Sequence, residues 1–422
     1  MFKNIVHSLV TKGLVAVINF IILIFSSKYL GVSSRGEISI LILNIAIIQI
    51  INEIFTGYSL VYFIPNYNLK KLFVTGVLYT LAACSLSNTI FYIIKKQLPN
   101  YELASYVISL IIILNTFNCV IILGKEKIKL YNFLNVIQPV ILLTGLVISI
   151  VVLKNYTFTA YFIPMFISFI VAFFISITAT LKLISTSKSK LEYSHSSIFI
   201  TGLYCQIAVL MHIACNRYSY YLLPNSAEVG LYSSASSLIE SILIISNGIS
   251  PVLLSKVANQ GNTLHNQQIT LSLSKVSFIL SIIGISVIAI LPNKFFIFML
   301  GNDFSEIKYY MLLYAPGILM VSFSGIISHY FSALGKLKTV LMCNSFGFIA
   351  TISLAPYLIK KYDIEGAAII ANIAYFLNCL VLVIVFFGAN KLSFSKLISF
   401  KNDITALKLL IKDKQKDVNE IV

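Results

Sequence analysis

The sequence predicts an all-α polytopic membrane protein of about twelve transmembrane helices, and three observations carry that reading. The 422 residues are 58% hydrophobic and only 11% charged, whereas a soluble domain has roughly 25% charged residues. Apolar runs of about 20 residues, each long enough to cross a ~30 Å hydrocarbon core, recur along the whole chain with short breaks. Short motifs also repeat at a constant helix spacing.

The runs lie near 9–29, 38–64, 73–94, 106–123, 132–153, 158–181, 197–222, 229–255, 270–291, 308–333, 339–359 and 366–389. The first has no small-residue cleavage site and is too long for a signal-peptide core, so it is expected to remain as a span. No stretch is left over for a soluble domain. The expected organisation is a six-helix half at 1–183, a cytoplasmic linker at 184–196, a second six-helix half at 197–390 and a basic cytoplasmic tail at 391–422.

The formal charge is +16. Its lysines sit in short loops and the tail with no basic face and no recognition-helix or zinc pattern, which argues against a nucleic-acid partner. With the N-terminus inside, twenty-one positive residues fall on the cytoplasmic side, among them Lys12, Lys125, Lys127, Lys275, Lys336 and seven tail lysines; nine, including Lys28, Arg35, Lys95 and Lys154, fall outside. The positive-inside bias therefore predicts both termini in the cytoplasm. The tail beyond Lys391 mixes lysines with leucines and isoleucines, as either a membrane-surface helix or a solvated end does. Cys84, Cys119, Cys205, Cys215, Cys343 and Cys379 are scattered singly, without metal or redox spacing, and are expected to pack between helices.

Gly124-Lys125-Glu126-Lys127 after span 4 resembles Gly335-Lys336-Leu337-Lys338 after span 10. Arg35-Gly36-Glu37-Ile38-Ser39 before span 2 resembles Val229-Gly230-Leu231-Tyr232-Ser233 at the start of span 8. Six helices separate the members of each pair, as in transporters built from duplicated halves.

Ionisable residues inside spans are the sharper signal. Lys12, Glu53, Arg217, Glu240, His212 and Lys28 would each cost about 2.5–3.5 kcal/mol at a helix centre if they faced lipid, so they should face a polar cavity or one another. At 100° per residue, Gln206, His212, Asn216, Arg217 and Tyr220 fall within roughly 140° of one face of span 7. In span 2, Gln49, Asn52, Glu53 and Thr56 share one face in the same way. A guanidinium keeps its charge and is shaped to hold phosphate oxygens, which marks Arg217 as a substrate-binding candidate. Lys12 lies one turn into its span, where it either lines the cavity or snorkels to the surface. Glu53 and Glu240 are candidates for proton coupling or for pairing with Arg217 or Lys12, and His212 for a proton relay or for packing. Pro139, Pro164, Pro224, Pro251, Pro316 and Pro356 permit kinks. Tyr218, Tyr220, Tyr221 and Tyr232 cluster near the outer ends of spans 7 and 8, as sugar stacking or an interfacial belt would require.

Four stretches carry a resemblance to a known family: Leu30-Gly31 with Arg35-Gly36-Glu37 and Gly57 to Pro65; Arg217 with Glu228-Val229-Gly230-Leu231-Tyr232-Ser233-Ser234-Ala235 and Glu240; Gly301-Asn302-Asp303-Phe304 with Leu313 to Gly317 and Ala333-Leu334-Gly335-Lys336; and Gly366-Ala367-Ala368. The chain resembles the polysaccharide and O-antigen flippases of the multidrug/oligosaccharidyl-lipid/polysaccharide exporter (MOP) superfamily. Many members carry an acidic residue soon after the arginine matched by Arg217; here Tyr218 and Ser219 follow.

The resemblance implies two six-helix lobes around a central cationic cavity lined by spans 1 and 7, hence by Lys12 and Arg217, with Gln206, Asn216 and Tyr220 as further cavity residues. It implies a bacterial inner-membrane flippase that moves an undecaprenyl-pyrophosphate-linked oligosaccharide outward by alternating access. Membrane lipids and a polysaccharide polymerase are the implied partners, no cofactor is implied, and a proton or sodium coupling ion is left open. Two rivals remain. One is a small-molecule antiporter of the same superfamily, whose cavity would favour acidic residues. The other is a membrane polysaccharide polymerase, an enzyme class that usually carries a large outer loop; the longest outer loop here spans about 16 residues near Pro292 to Glu306.

Overall fold

A computed structural model describes residues 2–57, 60, 61, 63, 64, 68–94, 102–185, 195–244, 246–248, 250, 253, 257, 263–393 and 395. The described residues form helices and turns with no strand. The helices are α1 (Phe2–Thr56), α2 (Leu69–Ile93), α3 (Glu102–Gly124), α4 (Ile128–Val147), α5 (Thr159–Ser185), α6 (His195–Arg217), α7 (Ser226–Glu240), α8 (Thr263–Ile290), α9 (Asn293–Leu300), α10 (Ile307–Ala333) and α11 (Leu337–Ala389). Among the described residues, nine helices are long and apolar enough to cross a membrane.

Two of these are double spans. The 55 residues of α1 would reach about 80 Å at 1.5 Å per residue, far beyond one bilayer. The helix breaks at Gly31, φ 77°, a left-handed conformation open to a residue without Cβ. α11, with 53 residues, breaks at Asp363, φ 45°. With α7 as the described part of span 8, the expected crossings are accounted for: the chain is a multi-pass, all-α membrane protein. Linker residues 186–194, Lys95, Lys96, Pro251 and tail residues 396–422 lie outside the described residues.

The chain forms two compact units. Unit 1 is Met1–Ile213, Ser219–Ser234 and Asn293–Ser305; unit 2 is Ala214–Tyr218, Ala235–Pro292 and Glu306–Val422. In unit 1, Ile38, Leu41, Ile108, Leu146 and Phe158 form one apolar core, and Leu60, Leu72, Phe117, Val120 and Ile198 form another. Unit 2 is centred on Ile269, Ile326, Tyr330, Phe331 and Phe386, whose rings meet edge to face, with Tyr330 and Phe386 centroids 5.3 Å apart. Five of the six cysteines are buried, and all six are free.

Small residues let backbones touch inside unit 1. A Cβ on Gly36 would strike the Ser226 carbonyl oxygen, and one on Gly230 would strike the Val32 carbonyl oxygen. One turn on, the Ser39 hydroxyl donates to the Ser233 hydroxyl at 2.8 Å. Glycine and serine at this spacing are how membrane helices pack closely.

The repeat at the turns is real, but its register shifts by two residues. Glu126 (φ 57°) and Gly335 (φ 71°) occupy the same left-handed position. Lys127 N–H donates to Ile122 C=O at 3.1 Å, as Lys336 N–H donates to Phe331 C=O at 2.9 Å. Lys127 thus matches Lys336, and Gly124, the residue that catches the eye, ends α3 instead of supplying the turn.

Three expectations change. Span 2 ends at Thr56 rather than 64: the chain bends at Gly57, where a Cβ would collide with the Glu53 carbonyl, and Leu60 and Phe63 follow in short turns. Arg35 is a buried residue of α1, not a loop charge. The outer loop after Pro292 folds as α9, with Phe296, Leu300 and Phe304 buried; Lys28 Nζ donates to Phe298 C=O at 3.0 Å and lies over the Phe298 ring.

Candidate functional site

Some of the polar in-span residues gather around Arg217 and Glu240 in unit 2 and around Glu53 in unit 1. In unit 2, α6 ends at Arg217, where a cation complements the partial negative charge of the helix C-terminus. Arg217 Nη2 meets Glu240 Oε2 at 2.8 Å, the two side chains being 23% and 18% exposed, and Nη1 donates to Ser236 Oγ at 3.1 Å. Tyr314 Oη lies 2.8 Å from Asn216 Oδ1, 3.3 Å from Glu240 Oε1 and 3.1 Å from Tyr375 Oη. The pairing candidate Glu240 is thus the partner of Arg217, and it stands four residues from Ser236 on one face of α7.

α7 is set up locally. Asn225 caps it by accepting from Glu228 N–H at 2.9 Å and donating to Glu228 Oε1 at 2.8 Å, a reciprocal capping box. Tyr314 is positioned by a repaired kink. Pro316 interrupts the α10 ladder, and Asn372 inserts there: it donates to Leu313 C=O at 2.7 Å and accepts from Gly317 N–H at 2.8 Å. A neighbouring side chain thus satisfies backbone groups that the proline frees.

In unit 1, Glu53 is held by two amides. Gln49 Nε2 donates to Oε1 at 2.7 Å and Gln206 Nε2 donates to Oε2 at 3.3 Å. Gly202 makes this approach possible, since a Cβ there would strike the Ile54 carbonyl oxygen. The expected polar face of span 2 is thus a hydrogen-bonded cluster, with Thr56 Oγ1 closing on Asn52 C=O at 2.9 Å.

Arg217, Glu240 and Asn216 are brought together in unit 2, and Gln206 and Glu53 in unit 1. Lys12 and His212 are exposed on α1 and α6. Tyr220 departs from the helical arithmetic: α6 ends at Arg217, Tyr218–Tyr221 forms a tighter turn, and Tyr220 is 3% exposed with its ring edge-on to Tyr232. Tyr221 donates to Asn44 Oδ1. No group of histidines, cysteines and carboxylates able to hold a metal occurs among the described residues.

The sequence reading missed Ser236, Tyr314, Tyr375, Asn372 and Lys275. Tyr314 and Tyr375 look like ordinary apolar-span residues until the packing of the helices puts Tyr314 between Glu240 and Tyr375. Lys275 counted as an inner-surface charge, yet it is 5% exposed inside α8. The available signal was the stripe Thr270, Ser274, Ser277 and Ser281, all fully buried, which shows that this helix turns a polar face into unit 2.

No protein-family model and no curated protein matches the chain. Solved structures do. The lipid II flippase MurJ in an inward closed conformation superposes with a TM-score of 0.69 at 16% identity, over 99% of this chain and 93% of that one. An inward-facing multidrug resistance MATE family transporter of the MOP superfamily gives 0.70 at 13% identity, over 89% and 95%. A MOP superfamily transporter from Pyrococcus furiosus, described as having a binding pocket of reverse polarity, gives 0.63 at 12% identity, over 92% and 94%. The superpositions run along nearly the whole length, and the chain has the fold of the MOP superfamily transporters.

Proposed function

We propose that this protein is a flippase that carries a polyprenyl-pyrophosphate-linked oligosaccharide from the cytoplasmic to the outer leaflet of a bacterial inner membrane, with both termini in the cytoplasm. The observation that carries the reading is Arg217, a permanent cation inside an apolar span, paired with Glu240 and bonded to Ser236, with Tyr314 linking Glu240 to Asn216.

The pair gives a physical cycle. In the empty carrier Glu240 neutralises Arg217, since a charge left uncompensated inside a span is strongly destabilising. An arriving pyrophosphate offers more oxygens in the geometry a guanidinium prefers. It takes Arg217 over, and Tyr314 holds Glu240 meanwhile. The lipid tail stays in the bilayer, no covalent bond changes, and exposure of the site alternates between the two sides as the six-helix halves rearrange.

The rival is a small-molecule antiporter, which the MATE neighbours favour by fold. The in-span charge argues against it. Lys12 and Arg217 balance Glu53 and Glu240, and this near-neutral set suits an anion better than the acidic cavity that a cationic drug would favour. Proteoliposomes holding the purified protein separate the two: labelled polyprenyl-pyrophosphate sugar should cross and cationic dyes should not. Dye transport without lipid transport would assign the chain to the antiporters.

A further inference from the structure

Glu53 lies in the last turn of α1, which contains no basic residue, and a helix C-terminus already carries partial negative charge. Among the described residues no lysine, arginine or histidine pairs with it. Its oxygens are bonded by two neutral amides, Gln49 at 2.7 Å and Gln206 at 3.3 Å. An acidic side chain in a span is kept where something favours its charge or removes it, and two amides at a negative helix end compensate a full charge weakly.

Gln206 carries the complementary defect. It is 7% exposed, and its Oε1 is buried with no donor although its Nε2 reaches Glu53. Two glycines seat this amide: Gly202 brings α6 against the Ile54 carbonyl, and a Cβ on Gly57 would come within 3.2 Å of Gln206 Nε2. An acceptor without a donor thus lies beside a carboxylate without a cation, and one positive charge shared between them satisfies both. The donor set selects the cation. Glu53 offers two oxygens and Gln206 one, fewer than the six or so that hard metal cations collect, whereas a proton needs one oxygen on each side.

We propose that Glu53 is a proton-binding site: the carboxyl takes up one proton and donates it to Gln206 Oε1, with a turn of the amide about its last bond. Gln206 belongs to α6, the helix that ends at Arg217, so the proton on Glu53 sets how firmly α6 is held to the end of α1. Exchange of this proton in each transport cycle rests on the flippase reading; the site itself does not. The neighbouring titratable groups are Tyr79 of α2, which donates to Ile51 C=O at 2.9 Å, and Tyr204, Cys205 and His212 of α6. Lys70 and Lys71 of α2 are exposed, and α3 contributes apolar Phe117, Val120 and Ile121. Histidine is the one type among these that ordinarily titrates near neutral pH, so His212→Gln is the control.

Infrared difference spectra of the full-length protein in nanodiscs, taken between alkaline and mildly acidic buffer, test this. The chain has only 15 aspartate and glutamate side chains, so one carboxyl is resolvable. The native protein should gain a protonated-carboxyl band that Glu53→Gln lacks and that His212→Gln and Glu240→Gln keep. Gln206→Leu should move the band to higher frequency, as loss of a hydrogen bond to the carboxyl does. A band that persists in Glu53→Gln, a band unmoved in Gln206→Leu, or its removal by sodium at fixed pH overturns the proposal. Transport in proteoliposomes separates the two readings. With one proton exchanged per cycle, a gradient of about one pH unit should change the leaflet ratio of labelled polyprenyl-pyrophosphate sugar about tenfold in the native chain and have no effect in Glu53→Gln. An equal response in both counts against this proton's role, whereas the band without any lipid transport upholds the site and counts against the flippase alone.

Discussion

The Ser39 and Ser233 hydroxyls meet at 2.8 Å across 194 residues of sequence, and the same separation relates Gly36 to Gly230 and Val32 to Ser226. Each carbonyl that crowds a glycine is the repeat equivalent of the other, so the contact is reciprocal: residue i meets j as j meets i. The two stretches therefore cross at positions related by the same 194-residue offset, with backbone against backbone.

A crossing of this kind must open if exposure alternates. The double substitution Ser39→Cys/Ser233→Cys should form a disulfide under mild oxidation, since the hydroxyl separation places the two sulfurs within bonding reach. Transport should stop and return with reductant. Full transport in the crosslinked protein would show that the contact never parts.

The turn repeat makes an asymmetric prediction. Gly335→Ala places a Cβ at φ 71° and should lower stability by about 1 kcal/mol, whereas Glu126→Gly at φ 57° relieves a similar strain. Detergent unfolding curves that show equal losses for both would contradict the shared geometry.

Much of this was legible in the sequence. Apolar run length alone gives the spans, because lipid leaves the backbone no partner but its own helix. Gly31 falls between the first two runs as a glycine break does, whereas the apolar run continues past Gly57 and hides the end of the helix at Thr56. The site was half legible: charge in an apolar span singled out Arg217, Glu240 and Glu53, but their partners depend on which helices cross. Tyr314 reaches Glu240 from 74 residues away, and no periodicity announces that. Lys275 misled for a simpler reason, since a lysine near a span end looks the same in sequence whether it snorkels or is buried.

The repaired kink in α10 should show rescue. Asn372→Leu leaves Leu313 C=O and Gly317 N–H without their partner, which costs about 1–3 kcal/mol. Adding Pro316→Ala lets the helix straighten and pair those groups itself, so the double variant should recover most of the loss. A double variant as unstable as the single one would mean that Asn372 acts otherwise.

Arg217 and Glu240 should be coupled. Arg217→Met alone leaves a carboxylate in the span, and Glu240→Leu alone leaves a guanidinium; each should be less stable than the variant carrying both changes would suggest by addition. The interaction energy expected from a double-mutant cycle is about 0.5–3 kcal/mol. Strict additivity would place the two charges in separate, solvated environments.

The Arg217 guanidinium is proposed to receive a pyrophosphate in transit. Movement of labelled polyprenyl-pyrophosphate oligosaccharide across proteoliposomes measures it directly, comparing the native chain with Arg217→Ala and Arg217→Lys in matched amounts of folded protein. The expected result is transport by the native chain, a loss of about a hundredfold on Arg217→Ala, the scale of about 3 kcal/mol for a charge-assisted contact, and partial retention by Arg217→Lys. Transport at the native rate by Arg217→Ala would contradict the account.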